Sequence, residues 1–218
     1  EPNLLGKIYE IFLTEQLVLL EDNTIGLGKK KDCQNRSVVT TPTEIVKYMV
    51  DKSLSKVCEG KTPSEILNIS VADIACGSGI FLEEAFAYLQ DYCVQWYINN
   101  GQTDHLIEAG IDLYKLPLKE KKDILCSCIY GIDIDIHAVE VAKFSLLIKL
   151  IEDETAPSVA EVVPILPDLG GNIQFGNSLI SQTDLNGING ANRQMIEIAP
   201  FDWSTINNGR GFDVIIGN

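Results

Sequence analysis

The chain has 218 residues, of which 45% are apolar, so it can bury the core of one domain with an appendage or of two small domains. Its formal net charge of −14 argues against a nucleic-acid clamp formed by the chain as a whole, because such clamps have a basic face. No apolar stretch approaches the roughly 18 residues that a membrane helix needs, and the N-terminus lacks a signal-peptide pattern, so we expect a cytoplasmic protein.

The N-terminal part combines a helical pattern with a basic loop. Residues 4–21 carry apolar side chains at spacings of three and four, which predicts an amphipathic helix. The loop after them contains glycine and the basic residues Lys29, Lys30, Lys31 and Arg36, and it is either simply solvated or in contact with phosphates. We assign residues 1–36 to an N-terminal helical segment with this basic loop, and residues 37–218 to the main domain.

The main domain alternates helical and strand-like segments. Its first helix is predicted to begin with Thr41 as N-cap, Pro42 in the first turn and Glu44 completing a capping box. Another helix is predicted to begin near Pro117. The strand-like segments are "ILNISVADIA", "CIYGIDID", "NIQFGNSLI" and "GFDVIIGN", with helical segments after the first two. This alternation predicts an α/β fold with a parallel sheet and helices on its faces.

The six cysteines are expected to be free thiols of a reducing compartment, because they include no C-x-x-C pair. Cys126 and Cys128 are one residue apart and are predicted to face the same side of a strand. Core packing is favoured over metal binding at this pair, and with only two histidines in the chain we predict no metal site.

Glycine lies beside a polar or acidic residue at the carboxyl end of every predicted strand, which is where ligands bind in such sheets. Gly77 and Gly79 follow the first strand and allow the backbone to turn sharply and approach a ligand. Leu82 occupies the position of the third glycine in the nicotinamide fingerprint, which argues against a dinucleotide oxidoreductase.

Two carboxylates at these ends narrow the choice of ligand. Asp73 precedes the glycine turn and suits the cationic group of a ligand or, alternatively, hydrogen bonds from loop amides. Asp133 ends the second strand, where a carboxylate accepts hydrogen bonds from the two hydroxyls of a ribose, and Asp135 is predicted to cap the next helix. Together they predict a nucleoside ligand with an amino acid tail.

Several segments resemble the adenine-N6 DNA methyltransferases. "DIACGSGIFL" is similar to the family's S-adenosylmethionine-binding motif D-P-A-C-G-S-G-x-F-L, with Ile74 in place of proline. "IYGIDIDIHAVEVAK" resembles the ribose-binding strand and its helix, and "NIQFGNSLI" resembles the strand and turn that close over the adenine ring. "TTPTEIVKYMV" is similar to the Y-T-P segment of the methionine pocket, with Thr40 in place of tyrosine. The terminal "FDVIIGN" resembles the start of the catalytic motif F-D-x-x-I-x-N-P-P-Y, and "LLGKIYEIFL" adds a likeness to fused restriction and modification enzymes.

The resemblance implies a Rossmann-like methyltransferase fold, of which this chain holds the cofactor-binding half with strand order 3-2-1-4. It implies Asn218 as a catalytic residue, and the chain is expected to stop at this first catalytic position and to bind the cofactor without activity. The residues implied in binding S-adenosylmethionine are Thr41, Pro42, Asp73, Ala75, Cys76, Gly77, Gly79, Asp133, Ile134 and Asn177.

The implied function is site-specific adenine-N6 methylation in a bacterial restriction-modification system. Double-stranded DNA is the expected partner, held mostly by regions outside this chain. Strand Asp213 to Ile216 is expected to lie at an exposed sheet edge and to pair with a second copy in a homodimer. Two alternatives stay open, namely a non-catalytic cofactor-binding or scaffold module, and methylation of protein glutamine or RNA through the same motif.

Overall fold

The structure is a computed structural model that describes residues 8–9, 11, 15–20, 24–29, 41–111, 113–160, 162–181, 184 and 199–218. Most of the predicted basic loop, including Lys30, Lys31 and Arg36, lies outside these residues, as does Thr40. Within the described part of the chain, no helix combines the length and apolar character needed to cross a membrane.

Helices and strands alternate through the main domain. The helices are α1 (Thr43–Cys58), α2 (Pro63–Ile66), α3 (Ile80–Asn99), α4 (Leu118–Cys128), α5 (Ile136–Ile151) and α6 (Ala156–Ala160). The strands are β1 (Glu15–Leu19), β2 (Ile25–Lys29), β3 (Val71–Asp73), β4 (Ile107–Gly110), β5 (Leu113–Lys115), β6 (Ile129–Asp133), β7 (Ile173–Phe175) and β8 (Val214–Ile215). The predicted start of α4 is confirmed, because Pro117 is its N-cap.

Four strands form the central sheet in the order β7-β6-β3-β8, and all neighbours are parallel. Ala72 lies opposite Tyr130 on one side and Ile215 on the other. The predicted α/β class and the strand order 3-2-1-4 are therefore confirmed, with β3, β6, β7 and β8 as strands 1 to 4.

The two faces of the sheet are covered differently. Val71 and Ile129 belong to the main core, which also contains the buried faces of α1, α3, α4 and α5. Their alternating neighbours Ala72, Tyr130 and Ile132 belong to a second cluster with aromatic side chains from residues 201–212, a segment of short 3₁₀ turns. The prediction of helices on the sheet is therefore confirmed for one face, and the described residues cover the other with turns.

Close packing of α3 on β6 depends on one glycine. A Cβ at Gly131 would lie 2.7 Å from Cδ1 of Leu82, which is fully buried. The leucine that replaces the third glycine of the nicotinamide fingerprint therefore fills the space that Gly131 leaves open.

The helix predicted over residues 4–21 is wrong for Glu15–Leu19, which form β1. Residues 8, 9 and 11 are helical, but β1 pairs antiparallel with β2, placing Leu17 opposite Leu27 and Leu19 opposite Ile25. The leucines satisfy a helical spacing and a strand alternation at once, and the cross-strand apolar pairs favour the strand.

Two local predictions at helix ends are also wrong. Thr41 does not cap α1, because Pro42 is the N-cap and no side chain provides a capping hydrogen bond. Cys126 and Cys128 lie in the last turn of α4 rather than in a strand. Their predicted packing is confirmed, since Cys128 is buried in the main core and the half-buried Cys126 packs against it.

Candidate functional site

The carboxyl ends of the four parallel strands meet along one edge of the sheet. Asp73 ends β3 and Asp133 ends β6, while Asn177 follows β7 and Asn218 follows β8. Since neighbouring parallel strands end at the same edge, the fold brings together residues as far apart in sequence as Asp73 and Asn218.

The loop between β3 and α3 is a tight turn with two glycines in the left-handed region. Its position on β6 is fixed by the Cys76 N–H, which donates to the carbonyl of Ile132 at 2.9 Å. Gly77 has φ +53 and borders open space, whereas a Cβ at Gly79, with φ +94, would lie 3.1 Å from Cβ of Ala142 on α5. The free space beside this turn is therefore at Gly77, and the volume beside Gly79 is taken by α5.

Asp133 is half-buried and holds the glycine turn through its carboxylate. Oδ2 accepts the Gly77 N–H at 2.7 Å, and Oδ1 accepts the Asp135 N–H at 2.8 Å. A carboxylate has about four lone-pair positions, so each oxygen retains capacity for one further donor. The capping role predicted for Asp135 is confirmed, because its Oδ1 accepts the His137 N–H at 2.9 Å at the start of α5.

Asp73 is a buried carboxylate, with only 2% of the residue exposed, and few groups compensate its charge. Its Oδ1 accepts the Ala75 N–H at 3.0 Å, so the loop-amide alternative is realised in this structure. Burial raises the pKa of Asp73 to about 6, the Ala75 N–H opposes this shift, and the charge of Asp133 adds to it. Among the ion pairs of the described residues, none includes Asp73.

Asn218 lies next to Asp73 and reaches α1. A Cβ at Gly217 would lie 2.7 Å from Oδ1 of Asp73, so the chain passes directly over this carboxylate. Nδ2 of Asn218 then donates to Oγ1 of Thr41 at 3.0 Å. Thr41 is therefore part of the strand-end cluster, although not through the capping geometry predicted for it.

The remaining candidate residues surround this edge in different environments. Ala75 and Ile134 are exposed, Pro42 is exposed at the start of α1, and Cys76 is buried under the turn. Asn177 uses its Oδ1 within its own loop, where it accepts the Leu179 N–H at 3.1 Å.

Tyr9 is a neighbour of this edge that the sequence did not indicate. Its hydroxyl donates to Oδ2 of Asp135 at 2.8 Å, across 126 positions in the chain. Burial and the Asp135 carboxylate raise the pKa of Tyr9 well above its ordinary value. The only sequence signal was its place in "LLGKIYEIFL", which gives no hint of a partner so far away.

Comparisons with known proteins all point to restriction-modification enzymes. Residues 127–218 match the Eco57I restriction-modification methylase family. The chain is 43% identical over 216 residues to the type II restriction enzyme and methyltransferase RM.Eco57I of Escherichia coli, covering 99% of this chain and 21% of that protein. It is 30% identical to a putative type II restriction enzyme and methyltransferase of Methanocaldococcus jannaschii, covering 85% of this chain and 17% of the relative.

The chain thus spans about a fifth of the length of these curated relatives. Among solved structures, a nuclease-deletion mutant of the Type ISP restriction-modification enzyme LlaGI in complex with a DNA substrate mimic matches with a TM-score of 0.37 and 18% identity, over 56% of this chain and 9% of that one. The family match covers β6, β7 and β8, and the relative from Escherichia coli aligns with almost all of the chain. The resemblance drawn from the sequence motifs is thereby confirmed, since the chain is similar to restriction-modification methylases of the Eco57I type.

Proposed function

We propose that the carboxyl edge of the sheet binds S-adenosylmethionine and that the chain serves adenine-N6 methylation of DNA. The observation that carries this proposal is the convergence of Asp73, Asp133 and Asn218 at the ends of three adjacent parallel strands. The family match over residues 127–218 and the names of the relatives support methyl transfer, and the strand ends supply groups that match the parts of this cofactor.

The residues at the edge fit S-adenosylmethionine group by group. Asp133 has one unused acceptor position on each oxygen, as the two hydroxyls of a ribose require. Asp73 is buried without a cation among the described residues, so an ammonium group would offset the cost of its negative charge. Gly77 leaves room beside the turn, and the exposed Ile134 offers an apolar surface to a flat base.

The bound cofactor would supply a methyl group on a positively charged sulfur. In our proposal Oδ1 of Asn218 accepts a hydrogen bond from the exocyclic amine of an adenine flipped out of the duplex, which directs the nitrogen lone pair toward the methyl carbon. The nitrogen lone pair would form the new bond to the methyl carbon, the electron pair of the broken sulfur–carbon bond would stay on sulfur, and the proton released by the amine would pass to solvent.

Double-stranded DNA is the partner that this function requires. With a net charge of −14 the chain itself offers little attraction to phosphates, so we propose that most of the grip comes from other regions. We also propose a homodimer through β8, which is an end strand of the described sheet and exposes 62% of Ile215. Light scattering over a concentration series tests the dimer, and a strictly monomeric chain would contradict it.

Cofactor binding is tested by calorimetric titration of S-adenosylmethionine into the parent chain and into Asp133→Ala. Charged hydrogen bonds contribute about 1.5–3 kcal/mol, so we expect the variant to bind roughly ten- to a hundredfold more weakly. Asp133→Asn keeps an acceptor for the Gly77 N–H. If it folds like the parent but binds the cofactor more weakly, the loss of affinity reflects a ligand contact and not a loss of the fold.

The matched control is Asp168→Asn. Asp168 is exposed and accepts the Gly170 N–H at 2.8 Å before the start of β7, so it lies at the amino ends of the strands, opposite the proposed site. Its affinity should equal that of the parent. Absence of binding by the parent, or equal affinities in the parent and Asp133→Ala, would refute the proposed site.

Methyl transfer is tested separately with radiolabelled cofactor and duplex DNA. We propose that these 218 residues alone bind cofactor but transfer no methyl group, because a chain with a net charge of −14 offers little attraction to DNA phosphates. Incorporation of label into DNA by this chain alone would contradict this proposal.

A further inference from the structure

The hydrogen bond between Asn218 and Thr41 fixes the orientation of a carboxamide at the site. Nδ2 of Asn218 donates to Oγ1 of Thr41 at 3.0 Å, across 177 positions in the chain. Asn218 is exposed, whereas only 8% of Thr41 is exposed. Because the amide nitrogen faces the threonine, Oδ1 on the other arm of the planar carboxamide is directed away from Thr41.

Thr41 is a firm support, because the first turn of α1 follows it directly. The carbonyl of Pro42 accepts the N–H groups of Ile45 and Val46 at 2.9 and 3.1 Å. Val46 and Val50 are buried in the main core and fix this end of the helix. The proline also restricts the backbone of the residue before it, so the Thr41 hydroxyl has little freedom of position.

Asn218 is supported from the other side by the sheet. The Ile216 N–H donates to the carbonyl of Ala72 at 2.9 Å, which extends the pairing of β8 with β3. Gly217 then crosses Asp73 at a distance that excludes any side chain. The sheet therefore holds the backbone of the segment that carries Asn218, and Thr41, just before α1, holds the amide nitrogen of its side chain.

We propose that Thr41 is a positioning residue, which orients the Asn218 carboxamide so that Oδ1 faces the substrate amine. This inference rests on the proposed function, in which Asn218 accepts an amine hydrogen. Without the hydroxyl, rotation about the terminal bond exchanges Oδ1 and Nδ2, and an amine would then meet a donor instead of an acceptor.

The same hydroxyl links the target side of the site to the cofactor side. A threonine hydroxyl has one donor and two acceptor positions, and Asn218 occupies one acceptor position. The donor is directed by rotation of the hydroxyl and is compatible with the carboxylate of a methionine group, since the family resemblance implies that the segment with Thr41 lines the methionine pocket. With its proton engaged in this way, the hydroxyl can only accept from Asn218, which keeps Nδ2 rather than Oδ1 on the side of Thr41.

The orientation is measured by NMR of the 15N-labelled chain, with the Asn218 side-chain amide assigned by its disappearance in Asn218→Ala. We expect a nuclear Overhauser effect between these amide protons and the Thr41 methyl group. In Thr41→Val, exchange of the amide protons with water should become about two- to tenfold faster, as expected for loss of one hydrogen bond. Thr41→Ser, which keeps the hydroxyl, should restore the slow exchange.

Thr43→Val is the matched control, since Thr43 begins α1 two positions later and should leave the Asn218 amide unchanged. Equal exchange rates in the parent and a folded Thr41→Val, or failure of Thr41→Ser to restore protection, would overturn the proposal. If Thr41→Val does not fold, the Overhauser effect in the parent and the result for Thr41→Ser decide the matter. Titration of S-adenosylmethionine into the same parent sample separates the two proposals. If the cofactor shifts no protein signals, the proposed function is contradicted, while the result for the Asn218 amide still stands.

Discussion

Two buried carboxylates, Glu154 beside the β4–β5 hairpin and Asp73 at the sheet edge, are compensated in opposite ways. Oε1 of Glu154 lies 2.6 Å from Nζ of Lys121 and 3.2 Å from Nζ of Lys115, and Ser158 donates to Oε2 at 2.6 Å. Burial acts to raise the pKa of Glu154, but the hydrogen bonds from Lys121 and Ser158 and the charge of Lys121 outweigh it, so the pKa lies below its ordinary value.

Asp73 has one backbone N–H and no such lysines, and burial raises its pKa to about 6. Burial also raises the pKa of Glu83, in the first turn of α3, to about 7, and the charge of Lys149 opposes this shift. The difference between Glu154 and Asp73 teaches that the fold neutralises a structural carboxylate with its own cations. At the proposed ligand site it leaves Asp73 without a cation among the described residues, as our proposal of a cationic ligand group requires.

Removal of a lysine from the Glu154 cluster should have the largest effect. We expect Lys121→Met to lower the free energy of unfolding by about 2–4 kcal/mol, because it leaves a buried carboxylate with only part of its compensation. Lys143→Met is the control, since Lys143 pairs with the exposed Glu140 and such pairs contribute at most about 1 kcal/mol. Urea unfolding of both variants measures the difference, and equal losses would refute a structural role for the Glu154 cluster.

The opposite sign is expected for Asp73→Asn. A carboxyl group whose pKa is raised in the folded state stabilises the fold below its unfolded pKa of about 4, and this stabilisation is lost as pH rises through about 6. The variant lacks this loss, so at pH 8 it should be more stable than the parent by about 1–3 kcal/mol, and at pH 4 about equally stable. It should nevertheless bind S-adenosylmethionine more weakly. Urea unfolding at both pH values, with calorimetry at pH 8, checks this, and a destabilised variant at pH 8 would contradict the comparison.

The sequence predicted the central sheet well because local patterns define it. Each strand of the sheet lies within a short apolar segment with a glycine or acidic end, and the capping role of Asp135 depends on a residue only two positions away. The contacts that were missed are those across long separations. Tyr9 with Asp135, and Thr41 with Asn218, depend on how whole elements pack, and no local pattern predicts either pairing.

The Glu154 cluster illustrates the same limit, because it joins residues of three segments. Lys115 lies on β5 and Lys121 on α4, while Glu154 follows α5. β1 was mispredicted for a different reason, since its leucines fit both periodicities and only the pairing with β2 distinguishes them.

The two glycines of the turn sharpen the description of the ligand edge. Gly77→Ala places a side chain in the left-handed region but in open space, so we expect a loss of about 1–2 kcal/mol in the free energy of unfolding and weaker cofactor binding. Gly79→Ala adds a contact with Ala142 and should lose more stability than Gly77→Ala while affecting binding less in the folded protein. Urea unfolding and calorimetry on both variants test this. A stronger loss of cofactor binding in folded Gly79→Ala than in Gly77→Ala would indicate that the ligand lies beside Gly79 instead.

The smallest effect is expected at Tyr9, which connects the N-terminal part of the chain to the ligand edge. Tyr9→Phe removes one hydrogen bond to Asp135 but leaves the bond from the His137 N–H that caps α5, so the free energy of unfolding should fall by about 0.5–1.5 kcal/mol at pH 7. Because the pKa of Tyr9 is raised in the folded state, its stabilising contribution is present below the unfolded pKa of about 10 and declines at higher pH. The difference in the free energy of unfolding between parent and variant should therefore shrink above about pH 10.

Tyr48→Phe is the control, since 64% of Tyr48 is exposed on α1, and it should leave stability nearly unchanged. Urea unfolding at pH 7 and pH 10.5 measures both, and an equal loss in the two variants would show that the Tyr9 contact does not hold the N-terminal residues at this edge.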